Sequence, residues 1–161
     1  MPPRLDSWRV NLCRGAFAAA IFVVSSVGFG SAAELNPAAL VYKPPDQIKW
    51  NPPTAAGSQN AVLVGDPGKP GLYVVLNTWL KGNHFSKPHF HPNDRFITVL
   101  DGTWWMGSGP TFDPDNSVAM PAGTFVTHFG KQVHYDGAKD EEAVLLIVGE
   151  GPATGTPAED K

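Results

Sequence analysis

The fold prediction for this chain starts from Pro88-His89-Phe90-His91-Pro92-Asn93-Asp94-Arg95, which is followed by an aliphatic run that ends at Gly102. Side chains on an extended segment alternate between its two faces, so His89 and His91 point the same way. A third histidine, His134, follows in a second glycine-anchored segment. Three neutral imidazoles that converge on one point can bind a first-row transition metal and leave positions open for water or substrate. The stretch therefore predicts a metal site on a β-strand.

The first 33 residues have the layout of a secretory signal peptide. Three arginines form a basic region, residues 16–27 are almost wholly apolar, and Ser31-Ala32-Ala33 supplies small residues before the cleavage point. The apolar core is shorter than the about 20 residues that a membrane-spanning helix needs. We expect a secreted protein of the bacterial periplasm with no stable membrane insertion after cleavage. An uncleaved N-terminal anchor is the alternative.

Composition limits the partners of the mature chain. Cleavage after Ala33 would leave 128 residues, the size of one domain. Since the leader carries three arginines and one aspartate, 9 basic and 14 acidic residues would remain. An acidic chain with no basic run is a poor match for nucleic acid or anionic lipid. The single cysteine, Cys13, lies in the leader, so the mature chain would have no disulfide and no thiolate chemistry.

Turn residues divide the mature chain into short segments. Residues 34–57 are rich in proline and are expected to form an extended arm, pinned by burial of Ile48 and Trp50. Residues 58–151 alternate short apolar runs with Gly, Pro and Asp, which indicates an all-β sandwich or barrel. Residues 152–161 are small and polar and are expected to form a flexible tail. The predicted strands are 61–64, 72–80, 95–100, 103–106, 123–129 and 143–148.

Glycines bracket both histidine segments. Gly82 and Gly102 lie on either side of the His-x-His pair, and Gly123 is followed eleven residues later by His134. This frame resembles the two motifs of the cupin superfamily. The layout of residues 50–151 is similar to small single-domain cupins related to anti-sigma-factor cupin domains and to three-histidine diketone dioxygenases. The resemblance implies a jelly-roll barrel, or double-stranded β-helix, that pairs into a homodimer through its sheets.

Arg95 departs from the cupin pattern, in which its position usually carries a glutamate ligand. A guanidinium would then lie near a divalent cation, and two like charges roughly 5 Å apart cost about 3 kcal/mol at an effective dielectric constant of 20. Asp94 or Asp136 could relieve this repulsion, or Arg95 could grip an anionic substrate. A second departure is the turn before the third histidine, which reads Phe129-Gly130-Lys131, with Gly130 able to supply the tight turn.

Other side chains are candidates for the pocket wall. His128 ends a predicted strand and could act as an acid–base group or an alternative ligand. His84 would face away from His89 on a regular strand unless a bulge intervenes. An exposed or hydrogen-bonded histidine is the alternative for both. Because neighbouring strand residues face opposite sides, only one of Trp104 and Trp105 can line the barrel.

Three functions fit a metal on His89, His91 and His134. Fe²⁺, the favoured ion, would suit a non-haem dioxygenase that acts on a small enolisable or diketone-like substrate, with Arg95 meeting the enolate charge. A non-catalytic metal- or ligand-binding module ranks second, and it includes a cupin that has lost its metal, for which Arg95 is the best support. Zn²⁺ would suit a hydrolase or lyase, which ranks third; Mn²⁺ and Cu²⁺ are further possibilities. The candidate catalytic residues are Arg95 and His128.

Overall fold

The computed structural model describes residues 34–158, so the predicted signal peptide lies outside the described residues. The chain divides between Val41 and Tyr42. Residues 34–41, the described part of the first unit, contain a hydrogen-bonded turn. The second unit carries every strand of the described range. Within that range no helix has the length and apolar character needed to cross a membrane.

The described residues form eleven strands in two antiparallel sheets, which confirms the all-β prediction. The strands are β1 (Ser58–Val64), β2 (Gly71–Trp79), β3 (His84–Phe85), β4 (His89–Phe90), β5 (Arg95–Asp101), β6 (Thr103–Ser108), β7 (Val118–Pro121), β8 (Phe125–His128), β9 (His134–Ala138), β10 (Ala143–Gly151) and β11 (Thr156–Pro157). The first sheet has the order β1-β2-β10-β5-β8, and the second has the order β11-β4-β9-β6-β7 with β3 attached to β9. Short 3₁₀ turns occur at Pro45–Gln47 and Pro114–Asn116.

All six strands predicted from the apolar runs are present. They correspond to β1, β2, β5, β6, β8 and β10. The apolar runs do not predict β9, because its residues, His-Tyr-Asp-Gly-Ala, are all buried and show no alternation. That strand places both His134 and Asp136 on the inner face of the second sheet, so it matters for the site described below.

The core lies between the inner faces of the two sheets. Val75 on β2, Ile147 on β10 and Ile97 on β5 are paired across three neighbouring strands. Leu145 is fully buried beside them, and Trp104 reaches the same cluster from the second sheet. Fully burying one such aliphatic side chain contributes about 1.5–3 kcal/mol. This core holds the strands that carry the histidines in register.

Residues 51–54 of the proline-rich arm lie along β1. The amide of Asn51 donates to the carbonyl of Asn60, and their side chains are also hydrogen-bonded. Ile48 is partly buried, but Trp50 is 38% exposed, so the expectation that Trp50 anchors the arm by burial is wrong for the single chain. Main-chain hydrogen bonds near Asn51, rather than a buried indole, attach this segment.

Candidate metal centre

Two neighbouring strands bring the three predicted ligands together. His89 on β4 is paired directly with His134 on β9, so their side chains share a face. His91 is two residues after His89, and its side chain lies on the same face. The Nε2 atoms of His89 and His91 are 3.2 Å apart, and the ligand atoms of all three lie within 4.8 Å of one another. The predicted cluster is confirmed as a group that could hold a metal ion.

A backbone carbonyl fixes the tautomer of each imidazole. Since a carbonyl oxygen can only accept, every Nδ1 in the cluster must carry its proton, which leaves each Nε2 unprotonated. Hydrogen bonds of this kind orient metal-binding histidines in proteins generally. The pairs are His89 Nδ1 with Lys87 O (2.8 Å), His91 Nδ1 with Thr154 O (3.1 Å) and His134 Nδ1 with Gln132 O (3.1 Å).

Burial keeps two of the clustered histidines neutral. His91 and His134 are 8% and 6% exposed. Desolvation lowers the pKa of His91 to about 3 and that of His134 to about 4, and neighbouring positive charges add to the effect. Both are therefore unprotonated at neutral pH. Three imidazole nitrogen donors form a set that suits Fe²⁺, Zn²⁺ or Cu²⁺.

The loop before His134 is attached to the loop after His91. The amide of Lys131 donates to the His91 carbonyl (2.7 Å), and the amide of Gly130 donates to the Asp94 carboxylate (2.7 Å). Gly130 does not supply the left-handed residue of the turn; Lys131 does, with φ of 64°. Gly130 is needed for space, since a Cβ there would lie 2.7 Å from the Pro92 carbonyl oxygen.

Residues 152–158, part of the segment expected to be a flexible tail, contribute to the candidate metal centre. β11 pairs with β4, placing Pro157 opposite His89, and the Ala158 amide donates to the Pro88 carbonyl. The carbonyl that orients His91 belongs to Thr154 in this segment. Composition pointed to disorder here, and no motif indicated a carbonyl 63 residues away from His91 as its partner. Thr154 is therefore a site residue that the sequence analysis missed.

Arg95 lies against the cluster without a counter-charge in contact. Its Nη2 is 2.9 Å from His128 Nδ1 and 3.4 Å from His134 Nε2, one of the three ligand atoms. Its Nε is buried and has no hydrogen-bond partner. The guanidinium therefore lies close to the place where the cupin pattern usually has a carboxylate ligand.

Neither acidic residue expected to neutralise Arg95 forms an ion pair with it. Within residues 34–158 the structure shows one ion pair, between Lys69 and Asp66 at the surface. The Asp94 carboxylate is engaged by Gly130. Asp94 therefore does not pair with Arg95, whereas Asp136 lies near enough for its charge to interact favourably with the guanidinium without a direct ion pair.

Asp136 is instead held by neutral donors. Its Oδ2 accepts hydrogen bonds from the indole nitrogens of Trp79 and Trp104, both at 3.0 Å, and its Oδ1 accepts one from Ser86 Oγ at 2.8 Å. Burial alone would raise the pKa of Asp136, but the neighbouring histidines and Arg95 lower it below its ordinary value. Asp136 is therefore a buried anion whose hydrogen-bonding capacity is largely used within the protein.

His128 lies beside the cluster rather than within it. It is 5% exposed, and its ring centroid is 3.9 Å from that of His134. Because Nδ1 accepts from Arg95, the proton is on Nε2, which is buried without a partner. Burial holds the pKa of His128 far below its ordinary value, so the ring stays neutral. In this arrangement His128 is an acceptor for Arg95, not a free base.

Trp104 and Trp105 face opposite sides, as predicted. Trp104 is 1% exposed and reaches Asp136 inside the barrel, whereas the Trp105 ring lies under the Lys139 ammonium group at 3.9 Å. His84 is not part of the metal-binding group, and its ring packs against Gly57. The indole of Trp104 therefore belongs to the wall of the site.

Several cavities border the centre, and two of them are lined by two or more of its histidines. One, of about 210 Å³, is lined by His89, His91, Arg95, Asn77 and Asp136, among others. The other, of about 440 Å³, is reached by His134 and His128. Part of its wall is apolar and is formed by Met106, Val118, Met120 and Val126. The centre therefore borders a smaller and a larger cavity, both with polar and apolar side chains in their walls.

Comparison with known proteins gives a fold but no function. No protein-family model matches the chain, and no curated protein matches it. Among solved structures, the polyketide cyclase RemF from Streptomyces resistomycificus matches with a TM-score of 0.60 at 16% identity, covering 76% of this chain and 87% of that one. A cupin-2 domain protein from Rhodospirillum rubrum matches with 0.54 at 16% identity, covering 75% and 81%. An uncharacterised double-stranded β-helix protein from Klebsiella pneumoniae matches with 0.52 at 20% identity, covering 68% and 90%.

Proposed function

We propose that this chain, which has the double-stranded β-helix fold of the cupins, is a metal-dependent enzyme that acts on a small enolisable carbonyl compound. His89, His91 and His134 would hold one divalent metal, with Fe²⁺ favoured. The observation that supports this best is the set of three Nδ1–H···O=C hydrogen bonds, which directs three unprotonated Nε2 atoms to one point. The finer resemblance to diketone dioxygenases is part of this proposal.

A ferrous ion bound there would supply open coordination positions for a chelating substrate and for O₂. The chain itself would bind and orient the substrate. The cavity of about 440 Å³ has the size of a small-molecule site, and its methionine and valine side chains would cover the apolar part of the substrate and exclude water there. Arg95 would meet the negative charge of the enolate, and His128 would hold the guanidinium in place through its Nδ1.

A non-catalytic binding module is the second candidate. The observation in its favour concerns His128, the candidate base predicted from the sequence. Its unprotonated nitrogen, Nδ1, already accepts a hydrogen bond from Arg95. One fold neighbour is named as a cyclase, so the fold is found in enzymes, which favours the first candidate without assigning a reaction.

Export and dimer formation are further parts of the proposal. The outer face of the first sheet supports a homodimer, because Val74, Val148 and Phe96 form an apolar row across β2, β10 and β5. Phe96 is 46% exposed in the single chain. Light scattering should give the mass of two chains for the wild type and of one chain for Phe96→Lys. A wild-type monomer would remove this part of the proposal.

Metal analysis of protein matured in a periplasm tests the central proposal. We expect near one metal per chain in the wild type, and loss of the metal in His89→Ala, His91→Ala and His134→Ala. His84→Ala is the matched control, since this histidine lies outside the cluster, and it should keep the metal.

The bound element then separates the candidate functions. Iron, together with O₂ consumption in the presence of a short diketone, would support the dioxygenase; zinc would favour the hydrolase or lyase. Affinity for the diketone without turnover would favour the binding module. A wild type that binds no metal after reconstitution with iron, zinc, manganese and copper would refute the metal site.

A further inference from the structure

The buried charges at this centre balance before any metal binds. Arg95 contributes one positive charge, and Asp136, a buried carboxylate that accepts three hydrogen bonds from neutral donors, contributes one negative charge. Imidazole binds a metal in its neutral form, so histidine ligands add no charge of their own. A divalent ion would therefore add two positive charges to a site whose own charges already cancel.

Nothing in the described chain is placed to offset that addition. The group that could hold a metal contains three histidines and no carboxylate. Asp136 already accepts hydrogen bonds from two indoles and one hydroxyl. Arg95, by contrast, has its Nη2 3.4 Å from His134 Nε2, so its positive charge lies beside a ligand atom.

Arg95 also has unused donor capacity. Its Nε is buried with no partner, and its Nη2 is shared between two imidazole nitrogens. A buried donor without an acceptor is costly, and a guanidinium presents two parallel N–H groups that match the two oxygens of a carboxylate. A carboxylate would supply both the acceptor that Arg95 lacks and a negative charge to offset the metal.

The small cavity offers room for such a group. It is lined by Arg95 together with His89 and His91, and Asn77 and Ser58 add neutral polar side chains. Its volume of about 210 Å³ suits a small organic acid better than a large ligand. The carboxylate of Asp136 also lines this cavity, but its oxygens are occupied by the donors described above.

We infer that the centre binds its metal together with a small carboxylate, which lies between Arg95 and the metal and replaces the carboxylate ligand that the chain lacks. Metal and carboxylate then bind with positive coupling, and each raises the affinity of the other by the same factor. This inference rests on the proposed metal site but not on any oxygen chemistry. It makes Arg95 the residue that selects the anion.

Titration of the metal-free protein with Co²⁺ tests the coupling. The titration is followed by the visible absorption of the bound ion and carried out in perchlorate, chloride or formate at equal ionic strength. We expect formate to raise the Co²⁺ affinity of the wild type about tenfold or more relative to perchlorate, within the range typical of coupled sites, and to change the absorption spectrum. Chloride should have little effect.

Variants at Arg95 assign the effect to the guanidinium. Arg95→Met should bind Co²⁺ about tenfold more tightly than the wild type in perchlorate, because the repulsion is gone, and should lose the response to formate. Arg95→Lys keeps the charge without the fork and should show a reduced response. Lys139→Met, which removes a cation on the outer face, is the control and should behave as the wild type does.

The outcomes separate this inference from the proposed function. If the wild type binds Co²⁺ equally well in perchlorate and formate, or if Arg95→Met keeps the formate response, the inference is wrong and the metal site stands. If chloride acts as strongly as formate, the selection of a carboxylate is wrong. If the wild type binds no metal under any condition, the inference and the proposed function both fail. Should Arg95→Met not fold, the wild-type titrations and Arg95→Lys decide.

Discussion

The three clustered histidines and the neighbouring Arg95–His128 pair lie at the same centre, but their hydrogen bonding differs. Each clustered imidazole has its N–H satisfied by a backbone carbonyl, so its orientation is fixed by the main chain. Arg95 and His128 each leave one buried nitrogen without a partner. Every Nδ1–H group of the clustered histidines has an acceptor, so only their Nε2 atoms are left for a ligand. The Arg95–His128 pair, by contrast, has two buried nitrogens without a hydrogen-bond partner in the described chain. The difference indicates that two components, a cation and an acceptor, are needed to complete the centre.

The largest effect is expected from Asp136, the buried anion that both regions share. Asp136→Ala removes the acceptor of Trp79, Trp104 and Ser86, and it leaves Arg95 without a nearby negative charge. We expect a loss of about 3–5 kcal/mol in the free energy of unfolding, measured by urea denaturation. Asp94→Ala, which loses one hydrogen bond to Gly130, should cost about 1 kcal/mol. Equal losses would show that Asp136 does not connect the two regions.

Removal of the segment after Gly151 should weaken the cluster without unfolding the barrel. The truncation deletes the carbonyl that orients His91 and the strand that pairs with β4. Loss of such a supporting hydrogen bond typically lowers metal affinity about 10–100-fold. Competition for Zn²⁺ with a chelator measures the change, and a chain that ends at Ala158 is the control because it keeps both features. Unchanged affinity in the shorter chain would mean that His91 does not need its carbonyl.

The pH dependence of stability distinguishes buried neutral histidines from exposed ones. The pKa values of His91 and His134 are about 3 and about 4 in the folded chain, and that of His128 is also strongly lowered. Below their ordinary pKa the unfolded chain binds more protons than the folded chain, so stability is full above about pH 6.5 and is lost as the pH falls towards 4.

Each of these histidines should contribute up to about 1.4 kcal/mol per pH unit to that slope in the metal-free protein. His128→Gln should therefore reduce the slope by about that amount, measured by urea denaturation at a series of pH values. His84→Gln should leave it unchanged. If the free energy of unfolding falls equally steeply with decreasing pH in the wild type, His128→Gln and His84→Gln, then His128 takes up a proton while folded.

The smallest effect is expected in the loop that presents His134. Lys131 has a left-handed backbone, with φ of 64°, and its side chain is exposed. Lys131→Gly should therefore be neutral or stabilising by up to about 1 kcal/mol in thermal unfolding. Gln132→Gly, at a position without positive φ, should instead destabilise by about the same amount. Destabilisation by both would mean that the Lys131 side chain matters more than its backbone.

The sequence was sufficient for the parts of the molecule that depend on local spacing. A His-x-His pair on an extended segment had to face one side, and the glycine frame placed His134 in the second motif. The six strands with apolar runs were also predictable. Each of these features follows from residues close together in the chain.

The parts that could not be predicted depend on partners far apart in the chain. Asp136 lies on β9, a strand without alternation, and its oxygens are taken by indoles from β2 and β6. Nothing local could show that it would be unavailable to Arg95. The contribution of Thr154 was hidden for the same reason, since a main-chain carbonyl has no sequence signature.

The distance in sequence between His91 and Thr154 also sets an order of events. During synthesis His91 appears 63 residues before the carbonyl that orients it. The imidazoles of His89 and His91 are therefore present as loose ligands long before the site is complete. Selective loading of the proposed metal would therefore belong to the finished chain, and the compartment in which the C-terminal segment docks would determine which ion it meets.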